Sequence, residues 1–269
     1  MPGAADEQIS EVVGAVAFGP GGVLPAPVSI PAEEAVTLVV NGQEFVTLLA
    51  SPGDRLALTA GFLFDEGIVD SIDQVTLLEE EETGMRVEAV GIEIGLRLFE
   101  RRVLGSGCGK SLTSISALDA FSAPHRSLPA ERPWVGMGRL LEAGAVTYAR
   151  GGAYRRTRGT HAAGLFSRAG ELVAFAEDIG RHNAVDKVIG RLVLDRAPLT
   201  DLFLVVTGRI SSEMVAKVAK TPIPLIASKS VPTNLAVAHA VRLSVCVVGR
   251  MTRGDLIAYT FPDLIGAES

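Results

Sequence analysis

The sequence predicts an α/β fold in which a layered α/β domain follows a smaller β-rich N-terminal domain. In the second half, strand-length hydrophobic runs alternate with helical segments of about ten residues, a pattern typical of a sheet covered by helices on both faces. The first half shows strand-like alternation around the Asn41-Gly42 dipeptide, which favours a tight hairpin turn. A chain of 269 residues with 48% hydrophobic content can bury a large core.

The N-terminal half is predicted to contain an arm followed by strands. Residues 1–31 are rich in Gly, Pro and Ala and show little period, so we predict a poorly ordered arm. The stretch VTLVVNGQEFVTLLA at 36–50 predicts a β-hairpin that turns at Asn41-Gly42. Strand-like alternation returns at 87–98, and the acidic run at 79–82 predicts a solvated turn.

Between these strands, residues 51–68 (SPGDRLALTAGFLFDEGI) predict a short amphipathic helix. Its predicted apolar face consists of Leu56, Ala60, Leu63 and Phe64. Gly67 is placed to end the helix, because glycine readily adopts the left-handed conformation that often follows the last helical turn.

A polar, proline-containing stretch at 122–133 predicts a domain boundary. It separates a β-rich domain at 32–121, which ends in the loop containing Cys108, from an α/β domain at 134–269. The α/β domain has a predicted hairpin at 161–178, helices at 181–195, 211–220 and 232–243, and strands at 201–208, 223–228 and 243–249. Because strands alternate with helices here, we expect a mostly parallel sheet covered on both faces.

Composition excludes several classes of function. The 25 basic and 31 acidic side chains give a net charge of −6, which argues against bulk binding to nucleic acid or to an anionic membrane. The apolar runs are far shorter than the ~20 residues of a membrane-spanning helix. Two distant cysteines and the absence of a signal-peptide pattern favour a reducing, cytoplasmic setting. The 2 cysteines and 4 histidines show no paired ligand spacing, so no metal site is predicted.

Cationic residues follow three predicted strands of the α/β domain. Arg209 follows the first strand, Lys229 the second, and the segment Arg250-Met251-Thr252-Arg253-Gly254-Asp255 the third. Ligands of such sheets bind beyond the carboxyl ends of the strands, so this edge suits a phosphate-bearing ligand. Taken singly, each cation is better explained as ordinary loop charge, and the occurrence of cations at three equivalent positions shifts the balance toward a ligand.

The loop LGSGCGKS at 104–111 resembles a phosphate-binding loop, but its first glycine is one position too close to Gly-Lys-Ser. Cys108 lies between two glycines and near Arg101, Arg102 and Lys110 in sequence, and nearby positive charge stabilises a reactive thiolate. Cys108 is therefore a candidate nucleophile or sulfur acceptor, whereas the hydrophobic neighbours of Cys246 indicate a core residue.

The segment EDIGRHNAVDK at 177–187 brings acidic, basic and imidazole groups to one strand-to-helix junction. Two interpretations remain open from the residues alone. The cluster could transfer protons or orient a ligand, or its members could serve as helix caps and helix-surface charges.

Several stretches together resemble the formate dehydrogenase accessory sulfurtransferase family, FdhD/NarQ. They are ASPGDRLALTAGFLFDEGIV, SGCG, THAAGLF, EDIGRHNAVDKVIG, TGRISSEMVAK and VPTNLAVAHA, and they span about residues 35–262. The resemblance implies a cytidine-deaminase-like three-layer α/β/α domain without the deaminase zinc, preceded by the β-rich domain. It also implies a homodimer.

The same resemblance implies a cytoplasmic sulfurtransferase. Such a protein takes persulfide sulfur from a cysteine desulfurase and passes it to the molybdenum bis-pterin guanine dinucleotide cofactor, its substrate, for formate dehydrogenase. Cys108 would carry the persulfide, and Arg250 to Asp255 match the segment that contacts the cofactor in the family.

Two positions depart from the family pattern. Ser111 stands where the family loop has its second cysteine, so no neighbouring loop thiol is available to resolve a persulfide. Arg158 stands where the family usually has glycine. The lost cysteine keeps a second hypothesis open, a chaperone that delivers the cofactor without sulfur chemistry. A nucleotide hydrolase is disfavoured by the loop spacing.

Overall fold

The computed structural model describes residues 9–92 and 127–267 of the chain. The strands are β1 (Ser10–Val13), β2 (Val16–Gly19), β3 (Gly22–Pro25), β4 (Val28–Pro31), β5 (Glu34–Val40), β6 (Gln43–Ala50), β7 (Val75–Glu81), β8 (Gly84–Ala89), β9 (Val135–Gly136), β10 (His161–Ser167), β11 (Leu172–Asp178), β12 (Leu202–Val206), β13 (Leu225–Ser228), β14 (Cys246–Gly249), β15 (Ile257–Ala258) and β16 (Ile265–Gly266). The helices are α1 (Arg55–Asp65), α2 (Met137–Arg150), α3 (Gly152–Thr157), α4 (Arg181–Leu194), α5 (Ser212–Ala219) and α6 (Asn234–Arg242).

The N-terminal segment forms a two-stranded ribbon instead of the predicted poorly ordered arm. Strand β1 pairs with β4, and β2 pairs with β3, in two antiparallel ladders. The main-chain hydrogen bond from Ala26 N to Ala15 O, at 2.7 Å, links the two ladders. The arm prediction is therefore wrong for residues 10–31, because the glycine and proline residues at the turn, between the strands and at the strand ends hide the short strands.

The next four strands form a sheet in the order β6-β5-β8-β7. The predicted hairpin is confirmed, since Asn41 and Gly42 join β5 to β6 with φ angles of 49° and 75°. The predicted acidic turn is only partly right, because β7 extends to Glu81. Strand β8 ends at Ala89, and residues 93–98 of the predicted strand lie outside the described part of the chain.

The predicted helix is confirmed as α1, and its predicted face is confirmed in part, since Ala60 and Leu63 are buried and Phe64 packs against the core. Leu56 is 38% exposed, whereas Leu58 and Phe62 are buried against the four-stranded sheet. The opposite side of α1 contacts α4 so closely that a Cβ at Gly61 would lie 1.9 Å from Asp186 O. The helix is therefore covered on two sides, which a single apolar stripe does not describe. Gly67, with a φ of 67°, follows the helix end as predicted.

A buried ion cluster joins α1 to α4 and α5. Lys217 Nζ lies 2.8 Å from Asp186 Oδ1 and 3.0 Å from Glu66 Oε1. Burial raises the pKa of Asp65, which lies beside Asp186 in the same cluster. Breaking the ion contacts would leave buried charges unpaired, so the cluster favours this one arrangement of the three helices.

The larger sheet has the order β11-β10-β12-β13-β14-β15 and is mixed. Only the pairs β12–β13 and β13–β14 are parallel, so the prediction of a mostly parallel sheet is wrong. The predicted hairpin β10–β11 pairs antiparallel with β12, and β15 adds an antiparallel edge. The alternation of strand-like and helical segments located the elements. It does not reveal whether the β10–β11 hairpin pairs parallel or antiparallel with the next strand of the sheet.

Helices cover both faces of this sheet. One core contains buried residues of α4, α5 and α6, and the other is formed with α2 and Trp134. The fold is therefore a mixed α/β fold. The cytidine-deaminase-like layering, the domain limits 32–121 and 134–269, and the boundary at 122–133 stay predictions.

Candidate functional site

The parallel strands β12, β13 and β14 end at one edge of the sheet, and the loops that follow them are joined by hydrogen bonds. Ser228 Oγ, at the end of β13, donates to Gly208 O in the loop after β12 at 2.7 Å. The same oxygen accepts from Ser230 N at 3.0 Å. Arg250 N then donates to Ser230 O at 2.8 Å, which ties the third loop to the second. The three predicted loops therefore form one connected surface.

A cavity of about 520 Å³ opens at this edge, between helix α2 and the loops after β13 and β14. Its lining consists of Leu141, Glu142, Gly144, Ala145, Tyr148, Lys229, Met251, Thr252 and Arg253. The volume lies within the usual range for small-molecule sites, and an apolar wall with a few polar groups is typical of them. Lys229 and Arg253 are positioned to attract an anionic ligand.

Lys229 and Tyr148 form the polar side of this cavity. Lys229 Nζ lies 4.8 Å from the centre of the Tyr148 ring, within the range of a cation–π contact. Burial raises the pKa of Tyr148, so its phenol remains protonated at physiological pH. The Tyr148 hydroxyl donates to Thr207 O at 3.4 Å, which fixes the ring between two of the loops.

The third loop is shaped by Thr252. Its Oγ1 accepts hydrogen bonds from Asp255 N at 3.1 Å and Gly254 N at 3.4 Å. Thr252 N in turn donates to Asp255 O at 2.8 Å. The loop is thus a closed turn that presents Thr252 and Arg253 to the cavity, while Gly254 and Asp255 lie outside its lining.

Helix α2 makes room for the apolar part of the cavity through a glycine. A Cβ on Gly144 would lie 2.6 Å from Met251 Cε, so the absence of a side chain there allows the methionine to pack against the helix. Met251 itself is only 4% exposed.

Of the predicted cofactor-binding residues, the structure brings Lys229, Met251, Thr252 and Arg253 into one cavity. Arg209 and Arg250 are exposed and do not line it. The contribution of helix α2, including Tyr148, was missed because α2 precedes the alternating segment and carries no recognisable motif. Its amphipathic pattern gives no sign that one end faces a ligand.

Most of the cluster EDIGRHNAVDK has a structural role. Asp178 Oδ2 lies 2.8 Å from Lys187 Nζ, and both side chains are buried. The same carboxylate oxygen accepts from Ser51 N at 3.0 Å, and Lys187 Nζ donates to Ser51 O at 2.9 Å. Asn183 Nδ2 donates to Leu49 O at 2.8 Å. These contacts fasten the end of β6 to the larger sheet.

Glu177 is likewise structural. Its carboxylate accepts from Ala153 N at 3.0 Å and Tyr154 N at 2.9 Å, which satisfies main-chain donors at the start of α3. The hydroxyl of Thr160 donates to the same group at 3.1 Å. Glu177 therefore holds α3 against the end of β11, as the capping interpretation of the cluster predicts.

His182 and His161 lie at the same edge of the sheet, near the start of α4. His182 Nε2 lies 3.2 Å from Glu213 Oε2 of α5. This close contact with His182 lowers the pKa of Glu213. Burial lowers the pKa of His161, and the neighbouring Arg181 and His182 lower it further. His161 is thus neutral at physiological pH.

Arg158 lies in the left-handed backbone region, which favours the glycine that the resemblance leads us to expect at this position. Its φ is 57°, in the left-handed region, at the end of α3. The guanidinium lies 5.4 Å from the centre of the Tyr154 ring. The positive φ of Arg158 therefore costs backbone strain that glycine would not have. The cation–π contact with Tyr154 offsets part of that cost.

Cys108 and Ser111 lie outside the described residues, so the predicted nucleophile stays a prediction. The second cysteine is described, and its position agrees with a core role. Cys246 Sγ donates to Thr260 O at 3.2 Å. Burial, with a smaller contribution from Asp263, raises the pKa of the Cys246 thiol to about 12, so this sulfur remains a thiol.

Residues 9–92 and 127–267 lack two features that would bear on the class of site. No group of three or more His, Cys, Asp or Glu side chains is arranged there to hold a metal ion. No helix in the same ranges is long and apolar enough to cross a bilayer.

Comparison with known proteins points to one family. A model of the FdhD/NarQ family matches residues 31–265. A sulfur carrier protein FdhD from Bacillus licheniformis is 34% identical over 248 residues, covering 87% of this chain and 88% of the relative. A protein of the same name from Sulfolobus acidocaldarius is 32% identical over 244 residues, covering 88% of this chain and 90% of the relative.

The fold also has a counterpart among crystal structures. A formate dehydrogenase accessory protein from Desulfotalea psychrophila superposes with a TM-score of 0.77 and covers 96% of this chain and 99% of its own. Its sequence is 24% identical, so this likeness supports the fold alone.

Proposed function

Because the chain belongs to the FdhD/NarQ family, we propose that it is a sulfur carrier that serves formate dehydrogenase. In this proposal Cys108 accepts sulfur from a cysteine desulfurase and gives it to the molybdenum bis-pterin guanine dinucleotide, which is bound as substrate. The observation that carries the proposal is the family match over residues 31–265, a range that includes Cys108. The chain would act in the cytoplasm as a homodimer.

The transfer to Cys108 needs one thiolate. The Cys108 thiolate attacks the terminal sulfur of the desulfurase persulfide, the S–S bond of that persulfide breaks, and the desulfurase cysteine leaves as a thiolate. The basic residues near Cys108 in sequence favour its ionised form. In delivery an electron-pair donor on the substrate attacks the terminal sulfur of the Cys108 persulfide. The new bond to sulfur forms as the S–S bond breaks, and Cys108 leaves as a thiolate.

The cavity at the sheet edge supports the proposed substrate. Lys229 and Arg253 supply positive charge for phosphate groups, and the apolar wall with Tyr148 suits the face of a base. A cavity of about 520 Å³ suits one nucleotide half of a larger dinucleotide ligand. Sulfur and substrate would then meet near this edge.

The direct test is mass spectrometry after incubation with a cysteine desulfurase and cysteine. We expect the mass of one added sulfur atom on Cys108 in the native chain and in Cys246→Ser, and none in Cys108→Ser. Cys246→Ser is a matched control because its thiol is buried and protonated. Sulfur on Cys246 but not on Cys108 would contradict the proposal.

A second candidate function is a chaperone that delivers the same substrate without sulfur transfer. The observation in its favour is Ser111, which replaces the second loop cysteine. A cell that lacks this protein and receives Cys108→Ala decides between the two. Restored formate dehydrogenase activity would favour the chaperone, and loss of activity with normal protein levels would favour the sulfur carrier.

A further inference from the structure

Glu142 is the only acidic side chain among the described residues that line the cavity at the sheet edge. The charged groups that share the lining with it are the cations Lys229 and Arg253. Glu142 is exposed, and within 9–92 and 127–267 its carboxylate takes part in no ion pair or hydrogen bond. No side chain in these ranges therefore competes with a ligand for its two oxygens.

The acidic and basic groups lie at different places along the cavity. Glu142 and Tyr148 both belong to helix α2, and a rise of about 1.5 Å per residue separates them by roughly 9 Å along the helix axis. Lys229 Nζ lies 4.8 Å from the centre of the Tyr148 ring, so this cation marks the Tyr148 end. Salt weakens repulsion over such a distance, so a phosphate group bound by Lys229 tolerates a carboxylate at the other end.

The wall between these two ends is apolar. Ala145 carries only a methyl group, and Met251 fills the space beside Gly144. A surface of this kind suits the flat face of a nucleotide base. A nucleoside diphosphate has the same order of groups, because its phosphates lie at one end and the outer edge of its base lies at the other.

The outer edge of guanine matches a carboxylate. Guanine presents two adjacent N–H donors there, one from the ring and one from the amino group, and an ionised carboxylate has two oxygens that only accept. Two parallel charge-assisted hydrogen bonds can therefore form. Adenine presents a donor beside an acceptor at the same edge, so one carboxylate oxygen would face a lone pair and lose its hydrogen bond.

We infer that Glu142 is the specificity-determining residue of the cavity and selects a guanine nucleotide over an adenine nucleotide. Lys229 and Arg253 cannot make this selection, because they attract phosphate groups that all nucleotides share. The inference rests on the proposed function, since it needs a nucleotide substrate in this cavity, and it adds the residue that recognises the base. It does not depend on the sulfur chemistry of Cys108.

The test is isothermal titration of the native chain and of Glu142→Gln with GDP and with ADP, all at one salt concentration. We expect the native chain to bind GDP about 10- to 100-fold more tightly than ADP, because a bidentate pair discriminates between bases by roughly that factor. In Glu142→Gln the affinity for GDP should fall and the affinity for ADP should rise. The glutamine amide has one acceptor and one donor, which match the edge of adenine.

A purely electrostatic role for Glu142 predicts a different outcome. If the carboxylate only repelled the ligand, Glu142→Gln would bind both nucleotides more tightly and by the same factor, and that result would overturn the inference. A native chain that binds GDP and ADP equally, or that binds neither, would overturn it too. Glu171→Gln is the matched control, because Glu171 is an exposed glutamate outside the cavity lining, and it should bind as the native chain does.

Persulfide formation on Cys108 of the native chain separates this inference from the proposed function. A chain that prefers GDP but takes no sulfur from a desulfurase would overturn the sulfur carrier and leave the role of Glu142 standing. A chain that takes sulfur but binds GDP and ADP equally would overturn the role of Glu142 alone.

Discussion

Lys187 and Asp178 form a buried ion pair, with 2.8 Å between Nζ and Oδ2, at the junction of the two sheets. Both groups also bind the main chain of Ser51, at the end of β6. The pair therefore anchors the four-stranded sheet to the larger one.

Lys187→Met should lower the free energy of unfolding by about 3–5 kcal/mol, because it leaves the Asp178 carboxylate buried without its counter-charge. Urea unfolding followed by circular dichroism measures the change. Arg196→Gln is the control, since it removes the exposed pair with Asp73 and should cost less than about 1 kcal/mol. Equal losses in both variants would contradict this role for Lys187.

Gly190→Ala should separate α1 from α4. A Cβ there would lie 1.9 Å from Ala57 O, so the helix main chain must move. Overpacking of this kind costs about 1–3 kcal/mol, which a shift in the unfolding midpoint reports. Gly254→Ala provides the comparison, because nothing lies within 4 Å of its added carbon. An unchanged midpoint for Gly190→Ala would show that the helices tolerate a wider spacing.

His161 should make the protein less stable in acid. Burial lowers its pKa in the folded state, whereas the unfolded chain binds this proton near pH 6.5. Its contribution is therefore present above that pH and is lost as pH falls below it. Unfolding measured between pH 7.5 and pH 5.5, values of roughly one unit on either side of a free histidine's pKa, should show a weaker decline for His161→Gln than for the native chain. Parallel declines would exclude His161 as the cause.

Arg253→Ala should weaken binding of a guanine nucleotide by about 10- to 100-fold, because a charge-assisted hydrogen bond contributes roughly 1.5–3 kcal/mol. Isothermal titration with GDP measures the affinity. Arg139→Ala removes an exposed arginine that lies outside the cavity lining, and it should bind as the native chain does. The same loss in both variants would point to general charge instead of the cavity.

Ser111→Cys should shorten the life of the persulfide on Cys108. The new thiolate attacks the Cys108 sulfur, forms a disulfide between the two cysteines and releases hydrosulfide. Sulfide release after loading measures the rate, and Ser111→Ala should match the native chain. A persulfide equally long-lived in Ser111→Cys would show that the two positions do not meet.

Local structure was predictable from the sequence where the conformational preference of one or two residues determines it. Asn41 and Gly42 form the expected turn because few residues adopt positive φ angles so readily. Helix α1 was located correctly, but its buried surface is wider than the predicted face, because it also includes Leu58 and Phe62 and excludes Leu56. The ribbon was missed because its strands are only four residues long and contain no buried residue, so they show no burial pattern.

The candidate site was predicted in part. Lys229 and Arg253 follow recognisable strands, so the edge they share could be anticipated. Tyr148 could not, because its position depends on how α2 packs across the sheet. The sequence left a catalytic and a structural interpretation of Asp178 and Lys187 equally open, and their contacts with distant Ser51 reveal an anchoring role.

Helix α1 lies between the four-stranded sheet and α4, and its residues complete the packing of both. Neither half of the protein would keep a complete hydrophobic core if it were expressed alone. Cutting the chain between the two halves would therefore expose apolar surface on whichever side α1 remained.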